Sequence, residues 1–539
     1  MLKNIFITIL LICSVSGVWG QKSVKVKVSG NVITTDGVPA EFINIQLKNT
    51  FYGGTSDGKG YFEFMAPAGQ YTMIVQSIAA HRREFPVTIE EGKENHFADI
   101  EIRENINQLE QVVVTGQFSP QSMRNSLYKV RTVNSEQIRQ KAPTSVQSLL
   151  NTEIGIRLSN DMALGETDFE LMGMSGNNVK ILLDGIPLID RGATKQSLSQ
   201  LDVNSIERVE IVEGPMSVVY GTDALAGVIN IITKKGDGYS EENTWRVGAR
   251  VQEESMGKEY DFFKDKGLHN ESIDLGFNHK SGLFVNGGYT RNNHGGWQGD
   301  LTGREKRWHP KDQALMNGMF GFQNRNMNVW YRLDFLDEKI FGPNNGSELQ
   351  PEKVSDKDFL TKRYTHQLQS DWKLDNRLDV HAALSYQDYK RRTRTTESDL
   401  STGEKWLSSA EASQDITQYK AWIARATVAW NIAPEFSVQP GVEYQWTQGE
   451  GGRIDGTPKV SDLAFFLSAE YKPWEWLSLR PGVRTFIVAD YDAPIAIPSV
   501  LTKFKLTKHM DLRLSYAYGF RSPTLQELYF SFHNDNHDI

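Results

Sequence analysis

Ile206-Glu207-Arg208-Val209-Glu210-Ile211-Val212-Glu213-Gly214-Pro215 is the stretch on which the reading of this chain turns. Apolar and charged residues alternate along it, the pattern of a strand with one buried face, and Gly214-Pro215 stops it. Next comes Val218-Val219-Tyr220-Gly221-Thr222-Asp223-Ala224-Leu225-Ala226-Gly227-Val228-Ile229-Asn230-Ile231-Ile232-Thr233, where small residues let the backbone pack closely before a Val- and Ile-rich strand. Upstream, Val179-Lys180-Ile181-Leu182-Leu183-Asp184-Gly185-Ile186-Pro187-Leu188 is a hairpin with Asp184-Gly185 as its tight turn. Gly185, Gly214, Pro215 and Gly227 shape the backbone in this reading and do no chemistry.

From about residue 244 onward the pattern changes to strands of about ten residues, the length a transmembrane barrel needs. Met327, Val329, Tyr331, Leu333 and Phe335 alternate with Asn328, Trp330, Arg332 and Asp334. Leu463, Phe465, Leu467, Ala469 and Tyr471 alternate with Asp462, Ala464, Phe466, Ser468 and Glu470, and Leu512, Leu514, Tyr516, Tyr518 and Phe520 with Asp511, Arg513, Ser515, Ala517 and Gly519. Charge keeps to one face of each strand, which suits lipid outside and a polar interior. A soluble sandwich with one wet face is the competing reading. Short turns at 280–282, 324–327, 374–377, 431–435, 472–475 and 507–510 alternate with polar loops at about 255–268, 292–312, 337–361, 391–415 and 448–460. The brief connection at 490–495 is the exception. Outer-membrane barrels alternate periplasmic turns and extracellular loops in this way. The loops carry His294, Trp297, Trp308 and His309.

The start of the chain sets the compartment. Lys3, an apolar run from Ile5 to Cys13 and Val18-Trp19-Gly20 make a secretory signal of residues 1–20, too short to cross a bilayer as an anchor. Cys13 is the single cysteine, so neither disulfides nor a cysteine metal site hold the mature protein. A net charge of −8 gives no basic patch, and nucleic acid is not an expected partner. After the signal no apolar run approaches the length of a spanning helix, so a membrane form must be a closed barrel.

Residues 23–105 read as a small β-sandwich. Val24-Lys25-Val26-Lys27-Val28 and Ile43-Asn44-Ile45-Gln46-Leu47 alternate with period two. Thr35-Asp36-Gly37 and Ser56-Asp57-Gly58-Lys59-Gly60 are turns, and 61–65, 71–75 and 85–89 supply further strands. No catalytic grouping stands out, and His81 is a surface residue in this reading. Glu110-Gln111-Val112-Val113-Val114-Thr115-Gly116 follows. Its valines favour an extended backbone, either as one more core strand or as a free strand able to add to another protein's sheet edge.

Three resemblances tie these pieces together. Gly53 to Phe62 with Pro67-Ala68-Gly69-Gln70-Tyr71 resembles the carboxypeptidase-regulatory-like domain. Residues 123–236, on the three stretches quoted first, are similar over their whole length to the plug domain of TonB-dependent outer-membrane receptors. Glu110 to Gly116, lying between the two, resembles the TonB box, which the energy-transducing partner grips from the periplasm. The resemblance implies a mainly β chain: sandwich, α+β plug, and a transmembrane antiparallel barrel from residue 240 to 539. The first barrel strand then leaves from the periplasmic side, so the long loops face outward. Family barrels have about 22 strands, whereas about thirteen are readable here, so the barrel is expected to be incomplete in this chain.

The resemblance also implies a bacterial outer-membrane location, no enzymatic activity and no cofactor, with the TonB complex, membrane lipid and an extracellular ligand as partners. The expected function is energy-coupled uptake of a scarce large ligand, foremost an iron complex such as haem or a siderophore, with cobalamin as the alternative. A plugged barrel serving signalling or adhesion without transport is the reading from another class. Gly519-Phe520-Arg521-Ser522-Pro523-Thr524-Leu525-Gln526-Glu527-Leu528-Tyr529-Phe530 is similar to the arginine-proline box of haem receptors. Arg521 and Pro523 are therefore candidate ligand residues, and His533 and His537 are candidate axial ligands to haem iron. The sequence departs from the family in two places. Met172 and Glu213 stand where many members carry an arginine that locks plug to barrel.

Overall fold

The structure, a computed structural model, describes residues 25–531 except 35–38, 41–42, 78–79, 94, 103–111, 124, 162–165, 190–195, 237–241, 376, 411, 452 and 508–509. The signal at 1–20, the turn at 35–37, Glu110, Gln111, His533 and His537 thus lie outside the described residues. The chain divides into two units, Met1–Val112 and Val113–Ile539.

In the first unit the alternating segments form two sheets. Lys25–Thr34 pairs antiparallel with Tyr61–Pro67 and parallel with Asn95–Ile102. The second sheet runs Gly53–Thr55, Asn44–Leu47, Gly69–Ser77, Ala80–Ile89. Every second residue of these strands points inward, so Val28, Val32, Ile45, Leu47, Phe62, Met73 and Val75 pack as one core. The turn before Tyr61 is fixed from within, because the buried Ser56 hydroxyl accepts from Ile43 N (2.9 Å) and donates to Ala40 O (2.7 Å).

In the second unit the stretches quoted first form one sheet in the order Lys129–Asn134, Ile206–Glu213, Gly227–Thr233, Val179–Leu183, Ile186–Pro187. Gly227–Thr233 is buried at every position because it lies between two strands and is covered on both faces. Two short helices, Ser135–Lys141 and Val146–Leu150, begin at Asn134 and Ser145, each closing a capping box. Their apolar sides, Ile138, Val146, Leu149 and Leu150, join Ile181, Val209, Ile211 and Ile229 in the core. Asp184 and Gly185 take φ of 51° and 84°, the paired positive values that let a two-residue turn follow the twist of its strands.

Around this domain stands a 14-stranded antiparallel sheet whose strands follow in chain order from Thr244–Glu254 to Met510–Ala517, with Lys405–Leu407 off the path. The one-sided charge pattern is realised as read. Phe465, Leu467 and Tyr471 are exposed outward, while Phe466, Ser468 and Glu470 are buried inward. Likewise Trp330 and Arg332 point in, where Lys235 lies over the Trp330 ring at 4.7 Å.

One border moved. Lys353–Lys373 and Leu378–Asp399 are 21 and 22 residues long, and Lys405–Leu407 pairs back onto the second. Much of the polar sequence expected as loop at 337–361 and 391–415 is therefore strand. The cause is physical: hydrogen-bonded pairing continues into water, where both faces can be polar, so composition marks the lipid border and not the end of the ladder.

Candidate functional site

The plug meets the barrel at three levels. At the end that carries the long loops, a cavity is lined by Lys180, Pro187, Leu188, Ile189 and Asp223 of the plug. Tyr419, Gln445, Asp462 and Tyr491 line it from the barrel, and residues 521–526 close it. Arg521 and Pro523, expected to touch ligand, are both in this lining. Arg521 is already engaged: its Nη1 and Nη2 donate to Glu527 Oε2 and Oε1 at 2.8 and 2.9 Å. Those bonds hold the Glu527 carboxyl below its usual range. Thr524 N donates to the same carboxylate at 2.7 Å, and the Thr524 hydroxyl accepts from Glu527 N at 3.2 Å, so Leu525–Leu528 forms a capped helical turn. Leu525 seats among Tyr389, Tyr419, Ile454 and Val460, with Ile189 of the plug packed alongside. Lys180 Nζ reaches Thr222 O and Asp223 Oδ2 at 3.1 and 3.4 Å. The Tyr491 hydroxyl lies 2.9 Å from Asp462 Oδ1 and 3.0 Å from Ser522 Oγ. Burial pushes the Tyr491 phenol up. The cavity thus offers paired charges of both signs and aromatic faces, a lining suited to a large polar ligand. Among the described residues no group of His, Cys, Asp and Glu is placed to hold a metal ion.

Below the cavity, buried barrel side chains donate to plug carbonyls. Arg363 Nη1 reaches Ile189 O at 2.8 Å, Gln387 Nε2 reaches Pro187 O at 2.7 Å, and Gln369 Nε2 reaches Asp184 O at 2.9 Å. The plug hairpin is thereby fixed along one side by main-chain acceptors, which no substitution can remove. Glu443 sits between Arg425 and Arg484 at 2.6 and 2.7 Å, all three buried, against the end of the plug helix Ser217–Tyr220. Gly221 follows that helix with φ 78°, and a Cβ there would lie 3.0 Å from Arg484 Nη2. The two family arginines that this chain lacks are not needed for such a lock. Glu213 is held within the plug by Arg131 Nε (2.8 Å) and Lys129 Nζ (2.5 Å), and Met172 is largely exposed. The cations come from the barrel instead. On the other side of the plug, Asp202 is buried and accepts from Asn204 N, Thr290 Oγ1 and Asn317 Nδ2, and burial pushes its carboxyl up.

The third level is the valine-rich segment that reads from sequence as either a core strand or a free one. Of its residues Val112–Val113 forms a two-residue strand, and Val113 is fully buried with Leu127, Tyr128, Val212 and Leu501. Glu210, wholly buried, accepts from Val114 N at 3.1 and 3.2 Å and from Thr115 N at 2.8 Å. The Tyr220 hydroxyl accepts from Gly116 N at 3.1 Å, Asn230 Nδ2 donates to Thr115 Oγ1 at 2.9 Å, and Arg480 donates to Gly116 O. Arg480 also pairs with Glu470 and lies over the Phe118 ring at 4.4 Å. From Val113 to Gly116 the segment is folded into the plug, which is the core-strand side of the two readings its valines left open. The reason is that buried N–H groups must find acceptors, and Glu210 and Tyr220 supply them from about a hundred residues away. Sequence reading passed over Glu210, Asn230, Arg480 and the Arg425–Glu443–Arg484 group. The one available signal was a set of charged or amide residues inside otherwise apolar or inward-facing positions.

The second unit is a plugged β-barrel, and the first, which precedes it in the chain, is a small sandwich. Family models agree with each part. The CarboxypepD_reg-like domain matches residues 28–114, the TonB-dependent receptor plug domain 122–228, and the TonB-dependent receptor-like β-barrel 439–538. The chain carries the domains of TonB-dependent receptors, a family of the bacterial outer membrane. It is 32% identical over 139 residues to the vitamin B12 transporter BtuB of Vibrio vulnificus, a match covering 26% of this chain and 23% of the relative. Its fold is similar to the siderophore receptor PirA of Pseudomonas aeruginosa, with TM-score 0.56 and 16% identity over 74% of this chain and 62% of that one. It is also similar to FpvA of the same organism, solved with bound pyoverdines, with TM-score 0.58 and 13% identity over 81% and 63% of the two chains. The chain therefore spans less than two thirds of the length of each of these relatives.

Proposed function

We propose that this protein takes up a scarce, large ligand across the outer membrane, driven by the TonB energy-transducing complex. The observation that carries the reading is the pairing of a plug–barrel cavity at the long-loop end with a valine-rich segment at the plug's other side. Ligand enters from outside and rests on Pro187, Leu188 and Ile189. The partner acts on Glu110, Gln111, Val112, Val113, Val114, Thr115 and Gly116 from the periplasm, by adding a strand edge to edge. Pulling on that segment strains the plug, whose hairpin is held by Gln369, Gln387 and Arg363, until a path opens past it.

An iron complex, haem or a siderophore, is the ligand class we favour, supported by the arginine-proline box and by the fold shared with siderophore receptors. Cobalamin is the second reading, supported by the partial match to a vitamin B12 transporter. The engagement of Arg521 by Glu527 means a ligand acid must displace a carboxylate to reach it. Uptake of labelled haem, a ferric siderophore and cobalamin by cells making the receptor, with and without an energised inner membrane, tests the proposal. Energy-dependent accumulation of one of the three is expected. Accumulation that persists without energy, or none for any large ligand, contradicts it.

A further inference from the structure

The outward faces of the barrel strands record where the wall leaves lipid. Along Lys353–Lys373 the outward residues Trp372, Leu368 and Tyr364 are exposed, and along Ile416–Ala433 so are Trp430 and Trp422. From Trp372 to Tyr364 the strand runs about 27 Å, or about 20 Å in height once its tilt is allowed for, which suits a lipid-facing band between two aromatic girdles. Just past the girdle, on the side of the long loops, the same face turns basic. Lys362 is the next outward residue after Tyr364, and it stands directly opposite Lys390 in the ladder with Leu378–Asp399. Arg392 is the next outward residue after Lys390, and Lys362, Lys390 and Arg392 are all exposed.

We propose that Lys362, Lys390 and Arg392 bind the phosphate headgroup of a lipid in the outer leaflet of the membrane. Like charges directly opposite each other destabilise a sheet, and the nearby acids do not offset Lys390 and Arg392. Asp337 reaches Lys362 at 3.5 Å, with both side chains largely exposed. Asp358 is taken by Lys339 at 3.1 Å and by Arg394, and Asp388 accepts from Gln418 Nε2 at 2.7 Å. Among the described residues neither Lys390 nor Arg392 has an acidic partner. A phosphate set between the two strands relieves the opposition, because its several oxygens accept from both ammonium groups and from the guanidinium together. A lipid fits better than a soluble anion because the cluster lies one outward step from Tyr364, at headgroup height, with exposed Leu368, Leu384 and Trp422 below to take the acyl chains. The bound lipid then fixes the height of this side of the barrel in the membrane. The proposal rests on a membrane-spanning barrel with its long loops outward.

The test uses the full chain in phosphatidylcholine vesicles, with Cys13→Ser and a fluorophore on Tyr364→Cys beside the cluster. Dibrominated phosphatidic acid, whose headgroup is a bare phosphate, and dibrominated phosphatidylcholine are the quenchers. Phosphatidic acid should quench at a much lower mole fraction than phosphatidylcholine. Lys390→Ala should raise that mole fraction about 5-fold, and Lys390→Ala with Arg392→Ala about 30-fold or up to the phosphatidylcholine value. These side chains are exposed, so their loss should leave the fold intact. Lys280→Ala, an exposed lysine in a short turn, should change nothing. Equal quenching by the two lipids in the unaltered chain, or no change in the double variant, would overturn the site. Equal loss in Lys280→Ala would also overturn it, because net charge alone would then explain the effect. Relief of quenching by inorganic phosphate, with phosphatidic acid no better than the free ion, would reassign the site to a soluble anion and sink the lipid assignment. The underlying barrel reading fails in a different way, through a fluorophore at 364 that neither lipid quenches.

Discussion

Gly221→Ala isolates the contact that seats the plug on the barrel. Gly221 ends the helix Ser217–Tyr220 with φ 78° and ψ −157°, a region that side chains other than hydrogen rarely enter. Holding alanine there costs about 1–3 kcal/mol of backbone strain. The added methyl would lie 3.0 Å from Arg484 Nη2, 3.2 Å from Arg484 Cζ and 3.5 Å from Glu443 Oε1. Arg484 is pinned by Glu443 and cannot withdraw without loosening a buried ion pair, so overpacking adds about 1–3 kcal/mol. The total, about 2–6 kcal/mol, falls on plug docking and should leave the barrel's own hydrogen bonding intact. Gly403→Ala is the control, because Gly403 has φ 78° but nothing within 4 Å of an added Cβ. In detergent, protease should cut the plug of Gly221→Ala at lower temperature than that of Gly403→Ala, with the barrel fragment still resistant. Equal behaviour of the two variants would show that the Arg425–Glu443–Arg484 group does not hold the plug.

Cysteine at Gly346, in the loop after Met327–Gly342, should react with an impermeant reagent on intact cells, while cysteine at Asp375, in a short turn, should react only after the membrane is broken; the reverse pattern overturns the orientation. The folded Glu527 carboxyl is held low by Arg521, so its contribution to ordering 521–528 is present above the free carboxylate range and lost as pH falls through the lower folded value. The pair is partly exposed, so the effect is under about 1 kcal/mol; protease cutting at 521–531 should rise only at acid pH, and Glu527→Gln should abolish that pH dependence. For haem, His533→Ala or His537→Ala should weaken binding strongly and change the iron spectrum, whereas Arg521→Ala should weaken it without a spectral change. Unaltered affinity and spectrum in the double histidine variant would leave a siderophore or cobalamin.

Local pattern made most of the architecture legible. Period-two alternation with charge on one face is a local property, and it placed the inward Phe466, Ser468 and Glu470 correctly. Asp184-Gly185 announced its own turn geometry. The misreadings concern partners far apart in sequence. Glu210 looks like the wet face of an alternating strand until Val114 and Thr115, 96 and 95 positions away, fold against it. For the same reason sequence leaves open whether Val113 belongs to a core strand or a free one. Met172 and Glu213 stand where many family members carry locking arginines, and the barrel arginine that bonds to a plug carbonyl instead leaves no plug-side signature in the sequence.

Val113→Pro puts the central claim to the most direct measurement. Proline removes a backbone donor and fixes φ in the segment through which the partner is proposed to pull. Cells making the variant in a complete receptor should bind the ligand at the surface as before and fail to accumulate it when energised. Undiminished energy-dependent accumulation by Val113→Pro would contradict coupling through this segment.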